Sequence, residues 1–354
     1  MKKSLIALAV LGLSGAAMAQ YASPPCQNMY MPCAAMGSSS VTLYGRADAG
    51  VGKVAIASGA LKPTTSSPAA TVGWTPHGDN SNKTQFISAS LMNAYDSRIG
   101  VRGVEDMGGG LHAGYWFESG IDLNDGSQVN GPFWARIAHM WIASDWGTLR
   151  LGRQYTPSYL TTLSYDLTGT ANYSVLGNTF KYTTVGVRAN SALSYWTPTF
   201  NGLTGAVAFV SKNDCPTGGC DKNLVDVAVM YNGAPIQAGV SVTKLSNGKV
   251  GYQLGGKYDF GVFLVEASYN QSASLTNVNA VRRGFEVGGT AKFGAFSATL
   301  DLTRDNKNDW GNGKKYTNGL LELKYALSKR TYVYGAYLRI DSANNYSIGI
   351  DHIF

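Results

Sequence analysis

From Val41 to the C-terminus, apolar and polar residues tend to alternate along the chain. In the segment 41–51 the odd positions hold Val, Leu, Gly and Ala, whereas the even positions hold mostly Thr, Tyr, Arg and Asp. A period of two residues puts successive side chains on opposite faces of a β-strand. About sixteen such segments follow one another, each closed by turn residues. The pattern therefore predicts an all-β chain.

The connections between these segments alternate in length. Short turns such as 145–147 and 259–261 alternate with longer polar connections such as 54–83, 212–222 and 305–315. Antiparallel barrels of bacterial outer membranes have this asymmetry, and a closed barrel leaves no strand edge unpaired in the bilayer. A soluble β-sandwich is the alternative, but it would bury larger residues than the many Gly and Ala on these apolar faces. We therefore expect a transmembrane antiparallel β-barrel of about 16 strands over 41–354.

The N-terminus has the pattern of an export signal. Lys2 and Lys3 precede an apolar run over 5–17, and the small residues around Met18 precede Gln20. This predicts a cleaved signal peptide over 1–19. A membrane anchor is less favoured, since a spanning helix needs about 20 apolar residues. Residues 20–40 are rich in Pro, Ser, Met and Cys, and we interpret them as an irregular leader.

The four cysteines form two close pairs, Cys26 with Cys33 and Cys215 with Cys220. In an exported chain, close pairs predict local disulfides. Three methionines surround the first pair, so a Cu(I) site is an alternative there, because soft sulfur ligands suit that ion. Our preferred interpretation includes no metal and no cofactor.

One stretch, 156–187, interrupts the alternation for about thirty residues. It contains five aromatic residues, which is too many for a disordered segment, and its charged residues before Arg188 are Asp166 and Lys181. Loops of this length inside a compact fold are usually functional. We expect an ordered loop packed into the mouth of the barrel.

Strand parity assigns charges to the barrel interior. If Leu43, Val101, Ile137 and Leu149 face lipid, the neighbouring arginines face inward, and an arginine facing lipid would cost about 2–4 kcal/mol. The candidate pore residues are Arg46, Arg98, Arg102, Arg136, Arg150, Arg188, Asp166 and Glu118. Alternatively, some of these arginines form ion pairs with Glu105, Glu118, Asp48 or Asp166 and only stiffen the wall.

The chain offers weak support for enzymatic chemistry. Its four histidines are scattered, no HExxH zinc motif is present and no G-x-S-x-G nucleophile elbow occurs. The formal net charge of +7 is interleaved along the chain, so nucleic-acid binding is not indicated. The alternatives left open are a lipase-like barrel enzyme, a solute-specific channel and external loops that act as an adhesin or antigen.

Four segments carry a family resemblance. SSSVTLYGRADAGV, SRIGVRGVEDMGGGLHAGYWFESG, GTLRLGRQYTPSY and VRANSALSYWTP resemble, in that order and spacing, the Gram-negative trimeric porins of betaproteobacteria, of the neisserial and Burkholderiales type. The similarity covers Ser38 to Phe354 and is nearest in motif to the anion-selective members. The leader at 20–37 departs from the pattern, because family members usually begin the first strand soon after the cleavage site.

The resemblance implies a sixteen-stranded barrel that forms homotrimers among the lipids and lipopolysaccharide of the outer membrane. It implies that 156–187 is the third external loop, which folds inward and narrows the pore. It also matches Arg98, Arg136 and Arg188 to constriction arginines of anion-selective members. The implied function is a water-filled channel for passive diffusion of small hydrophilic solutes, small anions above all.

The final strand ends on Phe354. A terminal phenylalanine is expected of an outer-membrane barrel, and we expect it to engage the barrel assembly machinery.

Overall fold

The computed structural model describes residues 39–55, 82–129, 131–182, 186–211, 223–274, 277, 279–310 and 313–354. The signal peptide, the leader up to residue 38 and both cysteine pairs lie outside the described residues. The signal-peptide cleavage, the leader and the two disulfides therefore stay predictions.

The described residues form eighteen strand segments and two helices. The strand segments are β1 (Ser40–Lys53), β2 (Thr84–Ser88), β3 (Arg98–Asp106), β4 (His112–Ile121), β5 (Gln128–Val129), β6 (Ile137–Ser144), β7 (Gly147–Tyr155), β8 (Arg188–Trp196), β9 (Leu203–Val210), β10 (Leu224–Gly233), β11 (Ile236–Leu245), β12 (Val250–Asp259), β13 (Phe263–Ala273), β14 (Val281–Phe293), β15 (Phe296–Asn308), β16 (Thr317–Ala326), β17 (Thr331–Ile340) and β18 (Ala343–Ile353). The helices are α1 (Pro157–Tyr165) and α2 (Val175–Phe180). In the part of the chain that the structure describes, neither helix has the length and apolar character needed to cross a membrane.

Two of the strand segments continue others, so the wall has sixteen strands. β2 pairs with the second half of β1 and β3 pairs with its first half, so β2 and β3 together make one strand interrupted at 89–97. In the same way β5 and β6 pair with successive parts of β4. The predicted fold class and strand number are confirmed.

The sheet closes on itself through β1 and β18, which pair antiparallel from Arg46 opposite Ile353 to Lys53 opposite Tyr346. The C-terminal residue completes this seam, because the backbone groups of Gly45 and Phe354 exchange two hydrogen bonds of 3.0 Å. Closure satisfies the backbone groups that an open edge would leave unpaired in lipid.

The alternation of side chains separates an apolar outer face from a polar inner face. On β10, Val225, Val227 and Val229 are exposed on the outside, whereas Asp226 and Ala228 are buried on the inside. One detail of the strand assignment was wrong. The connection predicted over 305–315 begins later, since β15 continues to Asn308.

The predicted face of Ile137 was also wrong. Ile137 pairs directly with Glu118 in the β4–β6 register, so both side chains lie on the inner face, and Ile137 is fully buried. Arg136 precedes β6, outside its regular alternation. Strand alternation therefore does not assign Arg136 to the inner face, although its side chain is buried.

The stretch between β7 and β8 contains both helices, which the sequence pattern did not predict. Thr156 caps α1 by accepting a hydrogen bond from the backbone N–H of Tyr159, and Pro157 occupies the first turn, where a missing N–H costs nothing. Ser174 caps α2 by accepting from the N–H of Gly177, and Lys181 ends it in the left-handed conformation at φ 52°. Helices this short give too few turns for a 3.6-residue period to be visible in the sequence.

Candidate functional site

We call residues 156–187, of which 156–182 and 186–187 are described, the inward segment, because it contacts the inner face of the wall. The first helix is fixed to β10 and β12. The N–H of Ser158 donates to Oδ2 of Asp226 over 3.1 Å, and Thr162 Oγ1 donates to Oε1 of Gln253 over 2.7 Å. Gln253 Nε2 in turn donates to the carbonyl oxygen of Ser158.

The second helix is fixed to the wall farther round the barrel. Oγ1 of Thr179 lies 2.9 Å from Oγ1 of Thr303 on β15, and Asn318 Nδ2 on β16 donates to Thr179 over 2.9 Å. The two helices are thus held at separate parts of the inner wall, and the residues between them cross part of the barrel interior.

Asp166, which follows α1, is buried. Its carboxylate accepts hydrogen bonds from Ser174 Oγ (2.8 Å), from Thr168 Oγ1 (2.6 Å) and from the N–H of Thr170 (2.5 Å). It lies beside three carboxylates of β13–β15. Within the described residues it forms no ion pair with the predicted pore arginines. The structure therefore places Asp166 against the wall and does not bring it to those arginines.

Glu118 on β4 brings Arg98 and Arg136 together. Arg136 Nε donates to Glu118 Oε1 over 2.6 Å, and Arg98 Nε lies 3.4 Å from Oε2. Tyr44 also donates its hydroxyl to Oε2 over 2.8 Å. Two guanidinium groups therefore share the Glu118 carboxylate.

Asp96 joins the arginines to the inward segment. Its carboxylate accepts a hydrogen bond from Nη1 of Arg136 and another, of 2.8 Å, from Nδ2 of Asn172. Arg98 Nη1 donates to the Asp96 carbonyl oxygen over 3.2 Å. Sequence reasoning missed Asp96 because it lies in the interruption between β2 and β3, where no alternation assigns a face.

Arg188 begins β8, and its guanidinium carbon lies 5.1 Å from the centre of the Tyr155 ring. Tyr155 stacks on Tyr159 of α1, with ring centres 5.0 Å apart. Burial raises the pKa of Tyr159 to about 12, and Tyr155 adds to this rise, so the Tyr159 hydroxyl stays protonated and shares a 2.8 Å hydrogen bond with Thr170. Among the described residues no carboxylate lies within ion-pair distance of Arg188.

The remaining predicted arginines lie elsewhere on the inner wall. Arg46 forms a 2.6 Å ion pair with Asp351 and stacks 3.4 Å above the Tyr95 ring. The guanidinium carbon of Arg150 lies 4.6 Å from the Trp196 ring, and that of Arg102 lies 5.5 Å from the Tyr44 ring. The pairing with Glu118 that the sequence left open as an alternative is therefore seen for Arg98 and Arg136. Arg46 pairs with an acid that the sequence did not single out, and Arg102 and Arg150 contact aromatic rings.

Sequence reasoning also missed Arg153. Parity with Leu149 and Leu151 assigns it to the outer face, and the β6–β7 register keeps it there, opposite Ala138. The β7–β8 register, however, shifts between Gly152 and Gln154, and the Arg153 guanidinium donates to the Ala135 carbonyl oxygen and to Asn190. A register shift of this kind marks a β-bulge, where regular pairing is interrupted. An arginine at a lipid-facing position was the only signal in the sequence for such a bulge.

An inner wall lined with charged side chains, crossed by an inward segment, is the arrangement of a channel, and the model of one family matches residues 4–345, almost the whole chain. The chain belongs to the Gram-negative porin family. Porin relatives place it in the outer membrane as a channel for passive diffusion, and those relatives are channels rather than enzymes.

Outer membrane porin protein 32 of Delftia acidovorans is 31% identical to this porin, over 74% of this chain and 67% of the relative. The anion-selective porin from Comamonas acidovorans has the same fold, with a TM-score of 0.66 and 22% identity over 90% of this chain and 100% of that one. The trimer form of OmpT from Vibrio cholerae matches with a TM-score of 0.60 and 14% identity, over 90% of this chain and 100% of that one.

Proposed function

We propose that this porin is an anion-selective diffusion channel for small hydrophilic solutes. Its narrow section lies between the inward segment and the wall arginines Arg98, Arg136 and Arg188. The observation that carries the proposal is Arg188, a buried guanidinium at the start of β8 without a carboxylate partner among the described residues. Its charge acts on the same Glu118 that pairs with Arg98 and Arg136.

The balance of charge supports this selectivity. Arg98 and Arg136 pair with Glu118 and Asp96, and the buried Arg188 adds a third guanidinium, so three such groups stand against two carboxylates. Asp166, the acid of the inward segment, is directed to the opposite wall and does not offset them. Low-dielectric walls focus such a field, and arginine-lined constrictions favour anions. The description of the Comamonas neighbour as anion-selective agrees with the proposal.

The test is the reversal potential of single channels in a planar bilayer under a salt gradient. We expect Arg188→Ser to lower the anion/cation permeability ratio about two- to fivefold, which corresponds to an interaction of about 0.5–1 kcal/mol with a passing ion in an aqueous pore. Arg339→Ser is the matched control, because Arg339 is exposed on the outer face of β17. Cation preference in the wild type, or equal effects of the two substitutions, would contradict the proposal.

A second part of the proposal concerns assembly. We propose that the chain forms a homotrimer, surrounded by lipid and lipopolysaccharide, after delivery to the barrel assembly machinery through the strand that ends at Phe354. The trimer form of the OmpT neighbour supports it. A cyclic trimer needs one heterologous interface per subunit. Native mass spectrometry in detergent should give three copies, and a spectrum of monomers alone would refute the homotrimer.

A further inference from the structure

Four buried carboxylates meet where the inward segment touches the wall: Asp166, Glu266 on β13, Glu286 on β14 and Asp301 on β15. One oxygen of each lies within 4.8 Å of the corresponding oxygens of the other three. Each side chain is at most 4% exposed. The acids therefore converge on one small buried volume.

A glycine makes room for this convergence. Gly288 lies between Glu266 and Asp301 in the strand register, opposite both of them. A Cβ atom at Gly288 would approach within 2.8 Å of Oδ1 of Asp301 and of Cδ1 of Leu167. The absence of a side chain there leaves a cradle floored by backbone and lined by carboxylate oxygens.

Most of the wall oxygens in this cradle have no donor. Both oxygens of Glu266, both oxygens of Asp301 and Oε1 of Glu286 are buried without a hydrogen-bond partner among the described residues. Oε2 of Glu286, by contrast, accepts from Ser268 over 2.6 Å. Buried carboxylate oxygens without partners are costly, and such orphaned groups point to an unplaced proton, water or ion.

The local basic groups do not balance the cluster. Lys257 stands opposite Glu266 in the β12–β13 register, and it contributes a single positive charge. No ion pair joins Lys257 to any of the four acids within the described part of the chain. Four carboxylates against one ammonium leave a surplus of negative charge in a buried site.

We propose that this cluster is a calcium site that ties the inward segment to the wall. Calcium takes six to eight oxygen ligands at about 2.3–2.6 Å, so oxygens on opposite sides of the ion lie about 4.6–5.2 Å apart. The four carboxylate oxygens lie within 4.8 Å of one another, close enough to share one such ion. Magnesium fits less well, because it demands near-octahedral geometry at about 2.0–2.1 Å and keeps several waters.

The site has a structural consequence. Asp166 lies between α1 and α2, whereas Glu266, Glu286 and Asp301 lie on three adjacent wall strands. An ion shared by all four fixes the middle of the inward segment to β13–β15, away from Arg98 on β3, Arg136 before β6 and Arg188 on β8. The site is independent of the proposed ion selectivity.

Terbium luminescence tests the site in the full-length protein. The purified protein is stripped with EDTA and titrated with Tb³⁺, which Tyr165 sensitises because it directly precedes Asp166. We expect saturable luminescence that Ca²⁺ displaces, and a rise in thermal midpoint with Ca²⁺. Asp301→Asn and Glu266→Gln should each weaken Tb³⁺ binding about tenfold or more, since affinity follows the number of charged ligands.

Two further variants separate binding from folding. Gly288→Ala fills the cradle without changing charge, and it should also weaken Tb³⁺ binding. Asp226→Asn is the control, because Asp226 is a buried wall acid that contacts α1 outside the cluster, and it should leave binding unchanged. The site would be overturned if Tb³⁺ luminescence were absent or not displaced by Ca²⁺, or if Asp226→Asn weakened Tb³⁺ binding as much as the cluster variants do. It would also be overturned if acid stabilised the protein while Ca²⁺ did not, because the carboxylates would then share protons instead of an ion. Each of these outcomes would leave the selectivity measurement at Arg188 untouched.

Discussion

Glu118 sets the charge balance of the arginine-lined part of the lumen. It is the shared acceptor for Arg98, Arg136 and Tyr44, and it is almost completely buried. Removing one member of a buried ionic group leaves the others uncompensated, which commonly costs about 3–5 kcal/mol. Glu118 therefore affects both the stability of the wall and the field that a solute meets.

Neutralising Glu118 should increase the preference for anions. In Glu118→Gln one of the two carboxylates beside the three arginines is lost, so the anion/cation permeability ratio should rise, and the thermal midpoint should fall because Arg98 and Arg136 lose a charged partner. Reversal potentials and thermal unfolding measure the two effects. Glu105→Gln is the matched control, since Glu105 is exposed at the end of β3. A lower ratio in Glu118→Gln would contradict the charge balance.

Single residues also mark where strand parity stops being reliable. Leu43 and Leu149 are exposed on the outer face, and Arg46 and Arg150 are buried on the inner face, as the alternation predicts. Ile137 departs from it, beside the interruption between β5 and β6. Arg153 keeps its outer register opposite Ala138 but is only half-exposed, beside a register shift between β7 and β8. One extra residue on a strand reverses the face of its neighbours.

At the scale of elements, α1 approaches the wall closely at Gly255. A Cβ atom built at Gly255 would lie 2.5 Å from the Tyr165 ring, and Tyr165 is fully buried. A rigid buried ring has little room to move. The glycine on β12 thus permits the close contact between the helix and the sheet.

Gly255→Ala should displace α1 into the lumen. We expect a lower single-channel conductance, because the helix then occupies more of the open cross-section, and a loss of about 1–3 kcal/mol of stability from overpacking. Gly289→Ala is the matched control, since the nearest atom to its added Cβ is the Leu264 carbonyl oxygen at 3.3 Å. Unchanged conductance in Gly255→Ala, or the same decrease in both variants, would contradict this account of the helix position.

At the scale of the whole molecule, selectivity arises from a field spread over several wall strands. Arg98 lies on β3, Arg136 lies in the connection before β6, and Arg188 begins β8. Charges that act across water are screened by salt, with a Debye length of about 10 Å at 0.1 M and about 3 Å at 1 M.

The anion/cation permeability ratio of the wild type should therefore decrease as salt rises from about 0.1 M to about 1 M, since mobile ions screen the arginines. Reversal potentials at a constant tenfold gradient and several mean concentrations measure this. In Arg188→Ser the decrease should be smaller, because less fixed charge remains to be screened. A ratio that does not change with salt would indicate selection by direct binding rather than by the field.

The sequence by itself determined the class of fold, the number of wall strands, the faces of most side chains and the place of the inward segment. These features follow from local rules, since alternation, turn residues and connection lengths are all visible within a few neighbouring positions. β7 ends at Tyr155 and β8 begins at Arg188, so the interruption of the alternation lies between these two strands.

Only the tertiary structure decided which charges meet. Asp96 reaches Arg136 through an interruption in a strand, and Asp166 joins Glu266, Glu286 and Asp301, which follow it by a hundred residues or more. Such contacts depend on barrel closure and on how α1 and α2 dock, and no local pattern encodes either. The sequence therefore supplied the list of charged residues, and the folding of the chain into a closed wall determined which of them became partners.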